Sequence, residues 1–113
     1  MAPPRGGAYG TLGAQRGVVE RHHIPPKGMG GLSVHYGPAI QMDYADHLLT
    51  PGHSRSGAAY RSRIAGQLQQ RGFMAVMLAE MGYIELMHPG KYTTAMAEAA
   101  AYATCLQQGG EIR

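Results

Sequence analysis

Five of the six histidines in this 113-residue chain fall between positions 22 and 53, and four of these, His22, His23, His47 and His53, are the candidates for chemistry. Imidazole titrates near pH 6.5, and its neutral form is a common metal ligand, so one side chain type serves both as base and as ligand. Two of the four are adjacent, in the stretch VERHHIPPK, and Pro25 and Pro26 follow almost at once. Neither proline can donate a ladder hydrogen bond, so a strand carrying the pair must end there. Neighbouring strand residues point to opposite faces, so His22 and His23 reach one point only where the strand bends or ends. A strand closed by two histidines, with a third on a nearby short helix, could hold one divalent cation and leave a position open for a phosphate. The matching chemistry is phosphodiester hydrolysis. The cation stabilises charge on phosphorus and the leaving oxygen, and a histidine takes a proton from water, a contribution of ~10²–10⁴-fold. Imidazole-rich ligation favours Zn²⁺ or another transition metal, whereas a carboxylate from Asp43 or Asp46 would admit Mg²⁺ or Mn²⁺.

These residues need elements to position them. GVVERHH has β-branched valines and suits a short strand. Residues 27–37 read as a loop, and PAIQMD as a second strand, so the two would form an irregular hairpin. Asp43 reads as the N-cap of a short helix over YADHLLT, with Asp46 in its first turn and Pro51-Gly52 as its stop. The remainder reads as three segments of helix. The first runs from a Ser56 cap to Gly72, with Tyr60, Ile64 and Leu68 four apart. The second begins at Phe73 and places Phe73, Val76, Met77, Met81 and Ile84 on one face, ending at His88-Pro89-Gly90. The third places Tyr92, Met96, Ala99, Ala103 and Leu106 on one face, with Gly109 as its cap. The expected fold class is α+β: a small β-hairpin and short metal-binding helix, then a helical C-terminal part. Residues 1–17, rich in glycine and proline, read as a flexible leader, 18–108 as the domain, and 109–113 as a tail.

The segments ERHHIPPK and GPAIQMDYADHLLTPGHSRSGAAYR together resemble the HNH-like, His-Me finger nucleases found as C-terminal toxin domains of bacterial polymorphic toxins. The resemblance covers roughly residues 18–106. It implies a ββα-metal finger that cuts DNA with a divalent metal and is neutralised by a cognate immunity protein. It also implies roles. His22 would be a metal ligand and His23 the general base, with the two exchangeable. His47 would be a second ligand, and His53 a third ligand or a phosphate contact. The Gly/Pro-rich start would then be a junction to a larger secreted delivery protein. The immunity partner would be acidic, to cover a basic site.

Other residues carry a plainer reading. His35 and His88 read as loop residues. Glu20 shares the strand face of His22 and reads first as a solvated carboxylate, with support of a metal site as its second reading. Arg55, close to His53, is the best phosphate clamp, with Arg21 and Lys27 as further nucleic-acid contacts. Arg61 and Arg63 do not share a helical face and cannot track one line of phosphates. The methionines, five of them between 74 and 96, fill core gaps, and Cys105 packs against the core.

Bulk properties bound these readings. The length suits one domain. Net charge is +3, but residues 1–71 carry eight basic and three acidic side chains, and residues 72–113 carry two and four. The basic front half suits an anionic partner. No apolar run is long enough for a membrane span, and the first residues lack the apolar core of a secretory signal, which agrees with an effector delivered by a dedicated machine and equally with an ordinary cytoplasmic protein. A single cysteine excludes an internal disulfide. Two further functions stay open: a nucleic-acid or protein binding module without turnover, and an RNase or other phosphodiesterase, because a metal–histidine site reads a phosphate and not a sugar.

Overall fold

A computed structural model describes residues 2–26, 32–51 and 57–112. The chain is α+β, with a three-stranded antiparallel sheet and helices packed on it. Strand β1 is Gly6–Ala8, β2 is Val19–His23 and β3 is Pro38–Asp43, in the order β1-β3-β2. Helices follow in sequence: α1 Tyr44–Leu48, α2 Ala58–Arg71, α3 Phe73–Met87 and α4 Thr93–Gln108.

The expected hairpin is present. β2 and β3 pair antiparallel, with His22 opposite Ile40 and His23 opposite Ala39. β3 lies in the middle of the sheet and is buried at Pro38, Ala39, Ile40 and Met42. Pro38 is tolerated because it is the first residue of its strand, where the missing N–H does least harm.

One sheet face is covered by helices. Ile24, Ile40 and Met42 join Phe73, Met77, Met81 and Ile84 of α3, and Tyr92, Ala95, Met96, Ala99 and Ala103 around α4, in one core. The apolar spacing in α3 and α4 thus buries the faces it predicts. α2 is more solvated, with Ile64 buried and Leu68 half-buried against the core. Gly72 ends α2 and opens α3 with φ +88°, a conformation that a side chain at Cβ disfavours.

Two expectations are corrected. Residues 1–17 are not all leader, because Gly6–Ala8 adds a third strand to the free edge of β3. It does so against α4, where Gly6 comes so close that an added Cβ would lie 1.9 Å from the Ala95 carbonyl oxygen. Three residues are too few to show a strand period, so the element leaves no sequence signal. Cys105 is exposed and not a core residue. Gly109 caps α4 as expected, at φ −80°, and the left-handed position is the next residue, Gly110, at φ +78°. The Glu111 N–H donates to Leu106 and the Gly110 N–H to Gln107, a Schellman closure that folds Ile112 back into the core.

Candidate functional site

The alternation of β2 sorts its residues into two sets. Glu20 and His22 lie on the helix-covered face, and Arg21 and His23 on the other. β3 leads straight into α1, which carries His47 back beside β2, so His22 and His47 meet edge to face with ring centres 5.3 Å apart. Glu20 Oε1 accepts a hydrogen bond from His47 Nδ1 at 2.7 Å. With Nδ1 carrying the proton, the lone pair of the neutral ring is on Nε2, the arrangement a metal ligand or a base requires. Glu20 is therefore more than a solvated strand carboxylate.

His23 is buried on the opposite face. Its ring stacks on Tyr9 at 4.1 Å, and its Nε2 lies 2.8 Å from the Val34 carbonyl oxygen. A carbonyl only accepts, so Nε2 carries the hydrogen and Nδ1 the lone pair. Arg21 is beside it, its guanidinium 4.1 Å from the Tyr9 ring centre and Nη1 donating to the Tyr9 carbonyl at 3.4 Å. Lys27, His53 and Arg55 lie outside the described residues.

Helix α1 has only five residues and no buried side chain of its own, so its position comes from polar ties. The Tyr44 N–H donates to the Val18 carbonyl. The Lys91 ammonium reaches Asp43 Oδ2 at 2.8 Å and Asp46 Oδ2 at 2.7 Å. The Tyr92 hydroxyl donates to Asp46 Oδ2 at 2.7 Å and accepts the Asp43 N–H at 3.0 Å. Burial lifts the Tyr92 hydroxyl to about 12, with the Asp46 carboxylate adding to the effect. Burial would also lift Asp46, but the hydrogen bonds from Lys91 and Tyr92 outweigh it and hold this carboxyl below its ordinary value. Asp43 occupies the cap position without a capping hydrogen bond; its side chain is turned to Lys91. His88, in the turn after α3, faces Asp46 at 3.8 Å.

The residue that the sequence reading passed over is Glu80. It lies on the buried stripe of α3, among Phe73, Val76, Met77, Met81 and Ile84. Its Oε1 is 3.4 Å from His22 Nε2, and both residues are buried, at 5% and 6% exposure. His22 Nε2 and both Glu80 oxygens make no hydrogen bond. Each buried polar group left this way costs about 1–3 kcal/mol, more when charged. The signal was available as a carboxylate falling in phase with the apolar stripe. Burial first, and the Glu80 charge second, raise the Tyr60 hydroxyl to about 12. A cavity of about 470 Å³ opens there between α2 and α3, walled by Tyr60, Arg63, Gln67, Glu80 and Tyr83 among others.

Two nitrogen donors, His22 and His47, are adjacent, and the buried His22 Nε2 lacks any proton partner, which suits a ligand. Among the described residues, no group of three or more histidine, cysteine or carboxylate side chains is placed to hold a metal ion. Among them, too, no helix is long and apolar enough to cross a membrane. A scan against protein-family models and searches of characterised proteins and of solved structures found no match to this chain.

Proposed function

We propose that the chain is a metal-dependent endonuclease of the His-Me finger type, hydrolysing DNA phosphodiester bonds as an antibacterial toxin domain. The observation that carries this reading is the pairing of His22 and His47, 5.3 Å apart, with Glu20 hydrogen-bonded to His47 Nδ1. A hairpin followed directly by a short histidine-bearing helix is the order of a ββα-metal finger. His22 and His47 are the residues that would hold the cation, with His53 as the third candidate. When bound, a divalent cation there supplies charge stabilisation at the phosphate and the leaving oxygen.

The chain's own groups supply the rest. Glu20 holds the His47 ring in one tautomer and orientation. His23 is the general base of this reading, its ring oriented by the Val34 carbonyl on Nε2 and by the stacked Tyr9. Arg21 sits on the His23 side and Arg55 and Lys27 follow in the chain as further phosphate contacts. In this reading the domain reaches its target cell on a larger delivery protein, and an acidic immunity protein neutralises it.

The test is cleavage of supercoiled plasmid by the purified chain with Mg²⁺, Mn²⁺, Zn²⁺ or EDTA, beside His23→Ala and His47→Ala. Metal-dependent nicking that falls ~10²-fold or more in both variants supports the reading. No nicking with any metal, with DNA binding intact in both variants, leaves a binding module in its place. An RNA substrate in parallel distinguishes DNase from RNase.

A further inference from the structure

Helix α3 is apolar on its solvent side as well as on its core side. Its 15 residues hold two charged side chains, Glu80 and Glu85. Glu80 is buried, and Glu85 turns its carboxylate to the Gly90 N–H and the Thr93 hydroxyl beyond the helix end. The exposed positions are Leu78, Ala79, Gly82, Tyr83, Leu86 and Met87, and none of them carries a charge. Exposure is 55% at Leu78, 41% at Tyr83, 78% at Leu86 and 46% at Met87. A helix that is apolar all round is ordinarily covered on every side. The patch runs on to the end of α1, where Leu49, 63% exposed, shares a shallow cleft with Tyr83 and Met87. Together these side chains expose on the order of 600 Å², the upper end of what a monomer ordinarily leaves open.

The face also has a shape. Gly82 lies in the middle of the helix, where glycine is less stable than alanine, and among the described residues no atom lies within 4 Å of the position its Cβ would take. That gap leaves room for a second backbone to come close. Leu78 and Leu86 stand four residues before and after it, displaced about 40° to opposite sides of the Gly82 line. We propose that two copies of this chain associate through this face, α3 antiparallel to α3, with Gly82 at the two-fold axis and Leu78 of each copy against Leu86 of the other. A two-fold axis makes a surface of ridge, gap and ridge complementary to itself. Two such faces bury on the order of 1,200 Å², the size of a specific interface at the smaller end of the range. A second copy meets no like charge there. An acidic immunity protein is drawn by basic groups, which the exposed positions of α3 lack. The association depends on neither metal nor cleavage, so it stands or falls apart from the function proposed above.

The experiment is sedimentation of the full chain across the micromolar range, with wild type beside Leu78→Lys, Leu86→Glu and the double variant carrying both changes. Wild type is expected to pass from monomer to dimer with rising concentration. Each single change weakens the dimer at least ~10-fold, because it presses an unpaired charge against leucine. The double variant recovers most of that loss, since its two new charges face each other across the axis. Thermal midpoints of dilute protein stay close together in all four chains, because both positions are exposed in the monomer. A double variant no better than the single ones overturns the antiparallel pairing. A dimer that no variant weakens lies on another surface and overturns the proposal. So does a wild type that stays monomeric throughout. If that monomer floats with phosphatidylcholine vesicles and Leu86→Glu does not, the face binds a lipid surface; if neither floats, it belongs to a different protein.

Discussion

Glu20 and His47 are 27 positions apart in the chain and 2.7 Å apart in space. That contact gives the residue scale its sharpest prediction. Glu20→Gln keeps the shape but exchanges a full negative charge for an amide, so the His47 ring loses its fixed tautomer. Plasmid nicking should fall ~10–100-fold while the thermal midpoint stays close to wild type. A comparable loss of folded protein in far-ultraviolet circular dichroism would show that Glu20 acts through stability instead. The histidines were legible in the sequence because type and spacing alone single them out. Glu80 was not, because its α3 stripe was read for apolar members only. His23 was legible as an important residue, but its partners Tyr9 and Val34 come from segments without periodicity.

At the scale of elements, α1 depends on its neighbours. A five-residue helix is too short to hold itself in water, so its place is set by Lys91 and Tyr92 at the start of α4. Tyr92→Phe removes the hydroxyl that joins Asp46 to the Asp43 N–H. It should cost about 1–2 kcal/mol in urea unfolding, and cleavage should fall with it because His47 rides on α1. The same network sets an acid dependence. Asp46 is held below its ordinary value in the folded chain, so its stabilising contribution is complete above the ordinary carboxyl range. That contribution is lost as pH falls through the lowered folded value. Asp46→Asn should therefore be less stable than wild type at pH 7, and the difference should shrink in urea titrations taken progressively below pH 4. A gap that stays constant down to acid pH would mean that the Asp46 charge contributes nothing. The helices themselves were readable, since α3 and α4 each bury a stripe in the 3.6-residue period. Their mutual ties were not, because a salt bridge across 45 positions leaves no local pattern.

At the scale of the whole molecule, the front of the chain is part of the fold. Gly6→Ala would place a methyl group against the Ala95 carbonyl and push β1 off α4. The expected cost is about 1–3 kcal/mol, measured by thermal or urea unfolding. Met77→Ala, at the fully buried centre of α3, should cost about 2–5 kcal/mol through the cavity it leaves. An effect of Gly6→Ala below a few tenths of a kcal/mol would return residues 1–17 to the status of a leader. By itself the sequence determined the α+β class, the hairpin, the four helices and the histidines worth attention. Each of those is written in local currency: β-branched runs, proline stops, and apolar spacing over one or two turns. Tertiary structure alone decided that β1 exists, that His22 and His23 face opposite ways, and that Glu20 and Glu80 join the histidine group. Those outcomes depend on which distant surfaces meet. A three-residue strand, a ring stacked on a remote tyrosine and a carboxylate buried against a strand histidine are set by packing across the sheet, where sequence neighbours carry no record of them.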